Sequence, residues 1–238
     1  MKNIIVLITG GSSGIGEATA LLFAKNGANV VITYRKNKAG AEKVKKEIEK
    51  FGVETLIIQA DLIKESEAKN VINKTIKKFG KIDVLVNNAG RYINGDEWDG
   101  SSDIWIKSLN QNLVTAMNVS KYAIQIFQKQ KFGVIVSVSS RYSKSGQYDA
   151  LSYSAAKAGI ANITEAYAKL LAPYGRANAV SPSAVKTGYW LTAPKEELEK
   201  EESEAPLLKP EEIAQKILFL ASDEAQNITG QNISIDRK

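Results

Sequence analysis

The sequence predicts an α/β protein: a doubly wound parallel sheet of about seven strands with helices on both faces, in a single domain over residues 1–238. Three observations predict it. Short continuous apolar runs, of which Asn3 to Ile8 is the first, have strand length without polar alternation, as strands buried on both faces do. These runs alternate with amphipathic stretches of helical period. Glycines close those stretches at Gly27, Gly52 and Gly80, where a left-handed helix stop belongs.

In order, helix is expected from Ile15 to about Asn26, strand over Val30 to Tyr34, and helix over Ala39 to Phe51. Strand then covers Thr55 to Gln59, helix Glu65 to Phe79 and strand Ile82 to Val86. Successive βα units with short connections require right-handed crossovers and hence a parallel sheet. The second half continues with a long helix over about Leu109 to Gln130, a strand at Val134 to Val138, and a helix ending near Leu171. A short strand, about Ala177 to Val180, precedes an irregular segment rich in Glu and Lys. A helix from Glu211 to Ala221 starts after Pro210, and Asn232 to Ile235 is the last strand.

Composition narrows the function. At 44% hydrophobic residues the chain has ample material for a core. No apolar run approaches the ~18 residues of a membrane span, and the N-terminus lacks a signal-peptide layout. With no cysteine there is no thiol chemistry, which fits a cytoplasmic protein; with no histidine a His-based triad is excluded and a catalytic metal is not expected. The net charge of +6 comes from lysines interleaved with Glu on several helices, the pattern of solvated faces, so nucleic acid is not an expected partner.

Two stretches carry chemistry. The first strand turns into the first helix through Thr9-Gly10-Gly11-Ser12-Ser13-Gly14-Ile15-Gly16. Glycines there let the backbone approach a pyrophosphate resting on the positive end of the helix, as in a Rossmann-like nucleotide fold. At the end of the second strand, where an acidic residue would select a ribose hydroxyl, stand Tyr34, Arg35 and Lys36. Two cations and no carboxylate match a 2′-phosphate, so NADP(H) is favoured over NAD(H). The second stretch is Tyr153-Ser154-Ala155-Ala156-Lys157. One helical turn puts Tyr153 and Lys157 on one face, where an ammonium lowers a phenol's pKa toward the working range and makes it a general acid/base.

Together these residues resemble the short-chain dehydrogenase/reductase family along nearly the whole chain, from Ile5 to Asp236. The ordered motifs are Thr9-Gly10 through Gly16, Asp61-Leu62, Asn87-Asn88-Ala89-Gly90, Asn112, Ser139-Ser140, Tyr153 through Lys157, and Ile228-Thr229-Gly230-Gln231. The resemblance implies that Tyr153 exchanges the proton, that Lys157 lowers its pKa and binds the nicotinamide ribose, and that Ser140 bonds the substrate oxygen. Ser140 is preferred to Ser139 because its interval to Tyr153 matches the family. Asn112 would hold a water linking Lys157 to solvent. Asp61, in the Asp61-Leu62 motif, would contact the adenine; Asn88, with Ala89 and Gly90, would line the cofactor cleft; Thr187 would meet the carboxamide.

Several features depart from the family pattern. Pro182 is followed by Ser183 where the family has Gly, so a strained loop is expected there. The Gly175 to Asn178 segment is one residue short, which a turn can absorb or which reverses the faces of a strand. The Ala205 to Pro210 segment is about three residues short, so a trimmed substrate lid is expected. Asp236 is followed by Arg237 and Lys238 in place of glycines.

Substrate-facing candidates are Arg91 and Tyr92, Arg141 and Tyr142, Tyr148, Tyr189 and Trp190. The aromatics suit a sugar or an apolar pocket, and either arginine suits a carboxylate. The resemblance implies a small-molecule carbonyl or alcohol substrate (a β-ketoacyl thioester, a sugar or a small alcohol) and a homotetramer or homodimer. The rival reading is a catalytically idle nucleotide-binding regulatory protein of the same fold.

Overall fold

In the computed structural model, which describes residues 1–236, seven strands form one wholly parallel sheet in the order β3-β2-β1-β4-β5-β6-β7. Arg237 and Lys238 lie outside the described residues. The strands are β1 (Ile5–Ile8), β2 (Asn29–Tyr34), β3 (Thr55–Gln59), β4 (Val84–Asn87), β5 (Gly133–Val138), β6 (Gly175–Pro182) and β7 (Asn232–Ile235). The helices are α1 (Gly14–Lys25), α2 (Lys38–Glu49), α3 (Glu65–Phe79), α4 (Ser102–Leu109), α5 (Thr115–Gln130), α6 (Leu151–Leu171), α7 (Lys195–Glu204) and α8 (Pro210–Ala221).

The alternation of side chains along each strand explains the two layers. Val6 and Ile8 point to one face, where they pack with Phe23 of α1, Val44 and Ile48 of α2, and Ile213 and Ile217 of α8. Leu7 points to the other, against Val71 and Ile72 of α3, Val119 and Phe127 of α5, and Leu171 of α6. Both faces are buried, which is why the strands read as unbroken apolar runs. Strand order reverses at the β1–β4 pair, so a crevice opens beyond the carboxyl ends of these two strands.

At the other end of the sheet one glycine is held by close packing. Gly133, the first residue of β5, lies over the ring of Phe127, and a Cβ there would stand 2.0 Å from Cγ of that ring. Gly133→Ala is expected to cost about 1–3 kcal/mol and to lower Tm by about 2–10 °C. A variant that melts with the wild type by calorimetry would show that Phe127 moves aside freely.

Three expectations need correction. The long helix begins at Ser102, where the Ser101 hydroxyl accepts the amide of Ile104, and not near Leu109. It continues into α5 through a π turn at Asn110–Val114, which inserts its extra residue without interrupting the apolar stripe enough to be visible in sequence. The segment expected to be irregular holds α7, a helix of Lys and Glu with an i,i+4 ion pair, Lys195–Glu199, and little apolar periodicity to announce it. Third, Ser183 does not take a positive φ: Asn3 and Lys131 are the non-glycine residues that do among those described. Its amide donates to Ile235 at 2.9 Å, so the loop after β6 carries no left-handed strain.

The short Gly175 to Asn178 segment is absorbed before the strand. β6 starts at Gly175, two residues earlier than expected, and runs in unbroken register with β5 from Gly133↔Gly175 to Val138↔Val180. Asn178 keeps its side chain inside, donating to Ile228 O and accepting from Gln231 N. The Ala205 to Pro210 segment returns to the body through Leu207 and Leu208, both buried, with Leu208 bonded to Ala184 and Lys186. The stretch between Val185 and Leu208, including α7, where the lid was expected, is therefore tied to the body at both ends.

Candidate active site

The crevice is built from the glycine turn upward. Gly10 and Gly14 both take positive φ, +66° and +58°, a backbone that only glycine adopts without strain. A Cβ on Gly16 would lie 2.4 Å from the Gly10 carbonyl and 2.5 Å from Nδ2 of Asn88. Asn88 holds the turn from beneath: its amide donates to the carbonyls of Thr9 and Gly10 at 2.9 and 3.1 Å. Asn88 thus shapes the crevice where it was expected to line it. Thr9 Oγ1 accepts the amides of Asn88 and Ala89, which locks the β1 and β4 ends together. Ser13 sits at the N-cap of α1 with no side-chain cap, and it is exposed.

Other expected residues surround this turn. Thr187, beyond β6, stands over it, with its methyl 3.1 Å from where a Cβ on Gly14 would be. At the end of β2, Tyr34 is buried in the core, leaving Arg35 and Lys36 as the exposed groups. Asp61 and Leu62 close the far side, fixed by Glu67 accepting the Asp61 amide and by Asn118 donating to the Leu62 carbonyl. A nucleotide with a pyrophosphate fits this cradle: the first amides of a helix have no intrahelical partners, and a turn packed this closely on Asn88 and Thr187 carries no side chain of its own at Gly10, Gly14 and Gly16.

Tyr153 and Lys157 lie in the first two turns of α6, at the mouth of the crevice. Lys157 is 4% exposed; its ammonium donates to the Val138 carbonyl at 2.8 Å and lies 5.5 Å from the centre of the Tyr153 ring. Burial pushes Lys157 down to about 8. Burial pushes the Tyr153 phenol up to about 12, with the Ser140 hydroxyl beside it working the other way. Lys157 does not offset that burial here, since its ammonium is turned to the Val138 carbonyl. Tyr92 and Tyr189 are also raised to about 12, so proximity to Lys157, and not acidity, distinguishes Tyr153 from its neighbours.

The two serines divide their work. Ser139 Oγ donates to the Lys157 carbonyl at 2.8 Å and is committed to the helix. Ser140 Oγ accepts the amide of Tyr142 at 3.2 Å and stands by the phenol. Asn112 lies in the π turn and is 1% exposed. Its amide donates to the carbonyls of Arg91 and Ser108, while Oδ1 has no partner among the described residues. That orphaned acceptor, buried beside Gly90, fits the expected bound water.

The candidate substrate residues separate. Tyr92 and Tyr142 meet the Tyr153 ring edge-on at 6.1 and 6.3 Å, and Tyr189 joins them through Tyr92, with Trp190 behind. Tyr148 is 74% exposed and Arg91 is exposed. Arg141 pairs with Glu201 of α7 at 3.2 Å. Tyr189 OH likewise bonds Glu197 of α7. The lid therefore rests on the site through two side chains that sequence reasoning assigned to substrate. A cavity of about 200 Å³ lined by Phe127, Phe132, Leu170 and Tyr174 lies at the amino ends of β5 and β6, away from this chemistry.

Asp96 was not anticipated. It is fully buried, and its carboxylate accepts the amides of Ser152 and Tyr153 at 3.1 and 2.7 Å and the Ser152 hydroxyl. No sequence signal marks it, since the helix amides it accepts lie more than fifty residues away.

Among known proteins, the family described as Enoyl-(Acyl carrier protein) reductase matches residues 10–237. The 3-oxoacyl-(acyl-carrier-protein) reductase FabG of Thermotoga maritima is 39% identical over 240 residues, covering 99% of this chain and 97% of that protein. Levodione reductase superposes with a TM-score of 0.95 at 27% identity, over 99% of this chain and 97% of that one. A variant actinorhodin polyketide ketoreductase crystallised with NADPH gives a TM-score of 0.90 at 26% identity, over 98% and 96%.

Proposed function

The chain belongs to the short-chain dehydrogenase/reductase family, oxidoreductases of C=O and CH–OH groups with a nicotinamide cofactor, and on that premise we propose that it is an NADP(H)-dependent carbonyl reductase or alcohol dehydrogenase working through Ser140, Tyr153 and Lys157. The observation that carries the reading is the single cluster of Tyr153, Ser140 and Lys157 at the mouth of the glycine-lined crevice.

Bound in the crevice, the nicotinamide would supply or accept the hydride. The chain's residues do the rest. Ser140 and Tyr153 donate to the carbonyl oxygen, and Tyr153 gives up its phenolic proton as charge develops there. With a pKa near 12 the phenol stays protonated across the neutral range, which suits a proton donor in reduction. In the oxidative direction the phenolate must be favoured by added positive charge, from Lys157 and from the oxidised nicotinamide. The phenolate regains its proton from Lys157, and a water held by Asn112 Oδ1 would in turn reprotonate Lys157. Tyr92, Tyr142 and Tyr189 wall the phenol with aromatic edges, which favours a neutral apolar or sugar-like substrate.

Arg35 and Lys36 support NADP(H), and FabG and the NADPH-bound ketoreductase are relatives consistent with it. Exposed Ile106, Met117 and Leu151 on α4, α5 and α6 support a homo-oligomer. Among the described residues no helix is long and apolar enough to cross a membrane. The departures that favoured an idle protein leave the β6 register and the Ser183 backbone intact.

Fluorescence titration with NADPH and NADH tests the cofactor assignment. NADPH is expected to bind about tenfold or more tightly, and Arg35→Ala to erode that preference. Equal affinities, or a preference for NADH, would remove the phosphate role of Arg35. A panel of ketones, ketoacyl thioesters and keto-sugars with NADPH then tests turnover.

A further inference from the structure

The geometry points to Asp96 as a positioning residue that sets the place of the reacting phenol by clamping the uncapped N-terminus of α6; this rests on the assignment of Tyr153 as the acid/base. A helix leaves its first amides without intrahelical partners, and an N-cap side chain usually supplies one. α6 has Ala150 at that position, with no side chain able to cap. Asp96 takes over the task from a loop more than fifty residues away. Its backbone carbonyl accepts the amide of Leu151 at 2.7 Å, and its carboxylate accepts those of Ser152 and Tyr153. Three successive amides of the first turn thus end on one residue, and the last belongs to Tyr153 itself.

The same carboxylate reaches the other half of the site. Ser108 Oγ of α4 donates to Asp96 at 3.5 Å, and the Ser108 carbonyl accepts the Asn112 amide at 3.0 Å. Asp96 is thereby bonded to the helix that carries Tyr153 and, through Ser108, to the turn that carries Asn112. Negative charge at a helix N-terminus is favourable in itself, and full burial keeps water from competing for these bonds. A frayed first turn would displace the Tyr153 ring from Ser140 and from the substrate oxygen, where a misplacement near 1 Å is costly.

Asp96→Asn is the test. The amide keeps one acceptor and turns an NH2 toward amide donors, so the turn loosens while the volume is retained. Expected is a fall in kcat on the order of 10–100-fold, with the NADPH Kd and the substrate KM each within about threefold of the wild type. A stability role alone would leave kcat per folded molecule unchanged, and that result overturns the proposal. Should the variant not fold, amide hydrogen exchange on the wild-type protein with NADPH decides. Protected amides at Ser152 and Tyr153, positions that exchange freely in an unclamped helix, support the clamp; free exchange there overturns it. Tyr153→Phe assayed in parallel separates the two readings. If it turns over normally, the acid/base assignment fails and the role of Asp96 falls with it. If it is inactive while Asp96→Asn has wild-type kcat, only the clamp fails.

Discussion

Tyr153→Phe is expected to lower kcat by about 10²–10⁴-fold, the usual contribution of a positioned proton donor, while NADPH still binds with wild-type affinity. The ring stays in place because its surroundings are aromatic edges: Tyr92 and Tyr142 pack against it at 6.1 and 6.3 Å, and neither contact needs the hydroxyl. Only the proton is lost. The neighbouring phenols Tyr92 and Tyr189 are as weakly acidic as Tyr153, and Tyr92 is engaged with Asp149 and Tyr189 with Glu197. Substitution by either is therefore not expected. Steady-state kinetics on any accepted carbonyl, together with NADPH titration, measures this; a variant with more than a tenth of the wild-type kcat would end the assignment.

Lys157→Met is expected to reduce activity comparably and yet to leave the cofactor-free protein at least as stable at pH 7. The lysine is fully inside and, among the described contacts, its ammonium bonds one carbonyl. Burial lowers its pKa from 10.5 to about 8. The sign follows from proton binding. Below about pH 8 the ammonium is charged in both states, and its burial cost, on the order of 3 kcal/mol, is present in full. Between about 8 and 10.5 the folded protein releases the proton while the unfolded chain keeps it, so wild-type stability rises with pH across that window. Methionine fills the volume without a charge. Denaturant unfolding at pH 7 and pH 10 should show the variant's advantage shrinking at the higher pH. An advantage that grows with pH, or a variant much less stable at pH 7, would mean that Lys157 stabilises the fold it occupies.

The contrast between these two residues shows how far local reading reaches. Tyr153 and Lys157 were found from a four-residue interval, because a helix fixes which side chains share a face. The glycine turn was found because positive φ and close approach restrict a position to one residue type. The same locality misled at Ser183, where the preference of one residue was read without the backbone around it. It also misjudged the pKa of Tyr153, since burial and the direction of the Lys157 ammonium belong to the packed structure.

By itself the sequence determined the layers, the parallel sheet, the glycine turn and the shared helix face of Tyr153 and Lys157, since all follow from local periodicity and short connections. Tertiary structure alone decided the rest. The α7 helix lies over the site because Glu197 and Glu201 find Tyr189 and Arg141. Asn112 faces the crevice because one π turn rotates it there. Asp96 caps α6 by accepting the amide of Tyr153, fifty-seven residues beyond it. The contacts of Glu201 with Arg141 and of Asp96 with α6 join segments that no periodicity relates, and only the folding of the whole sheet brings them within hydrogen-bond distance.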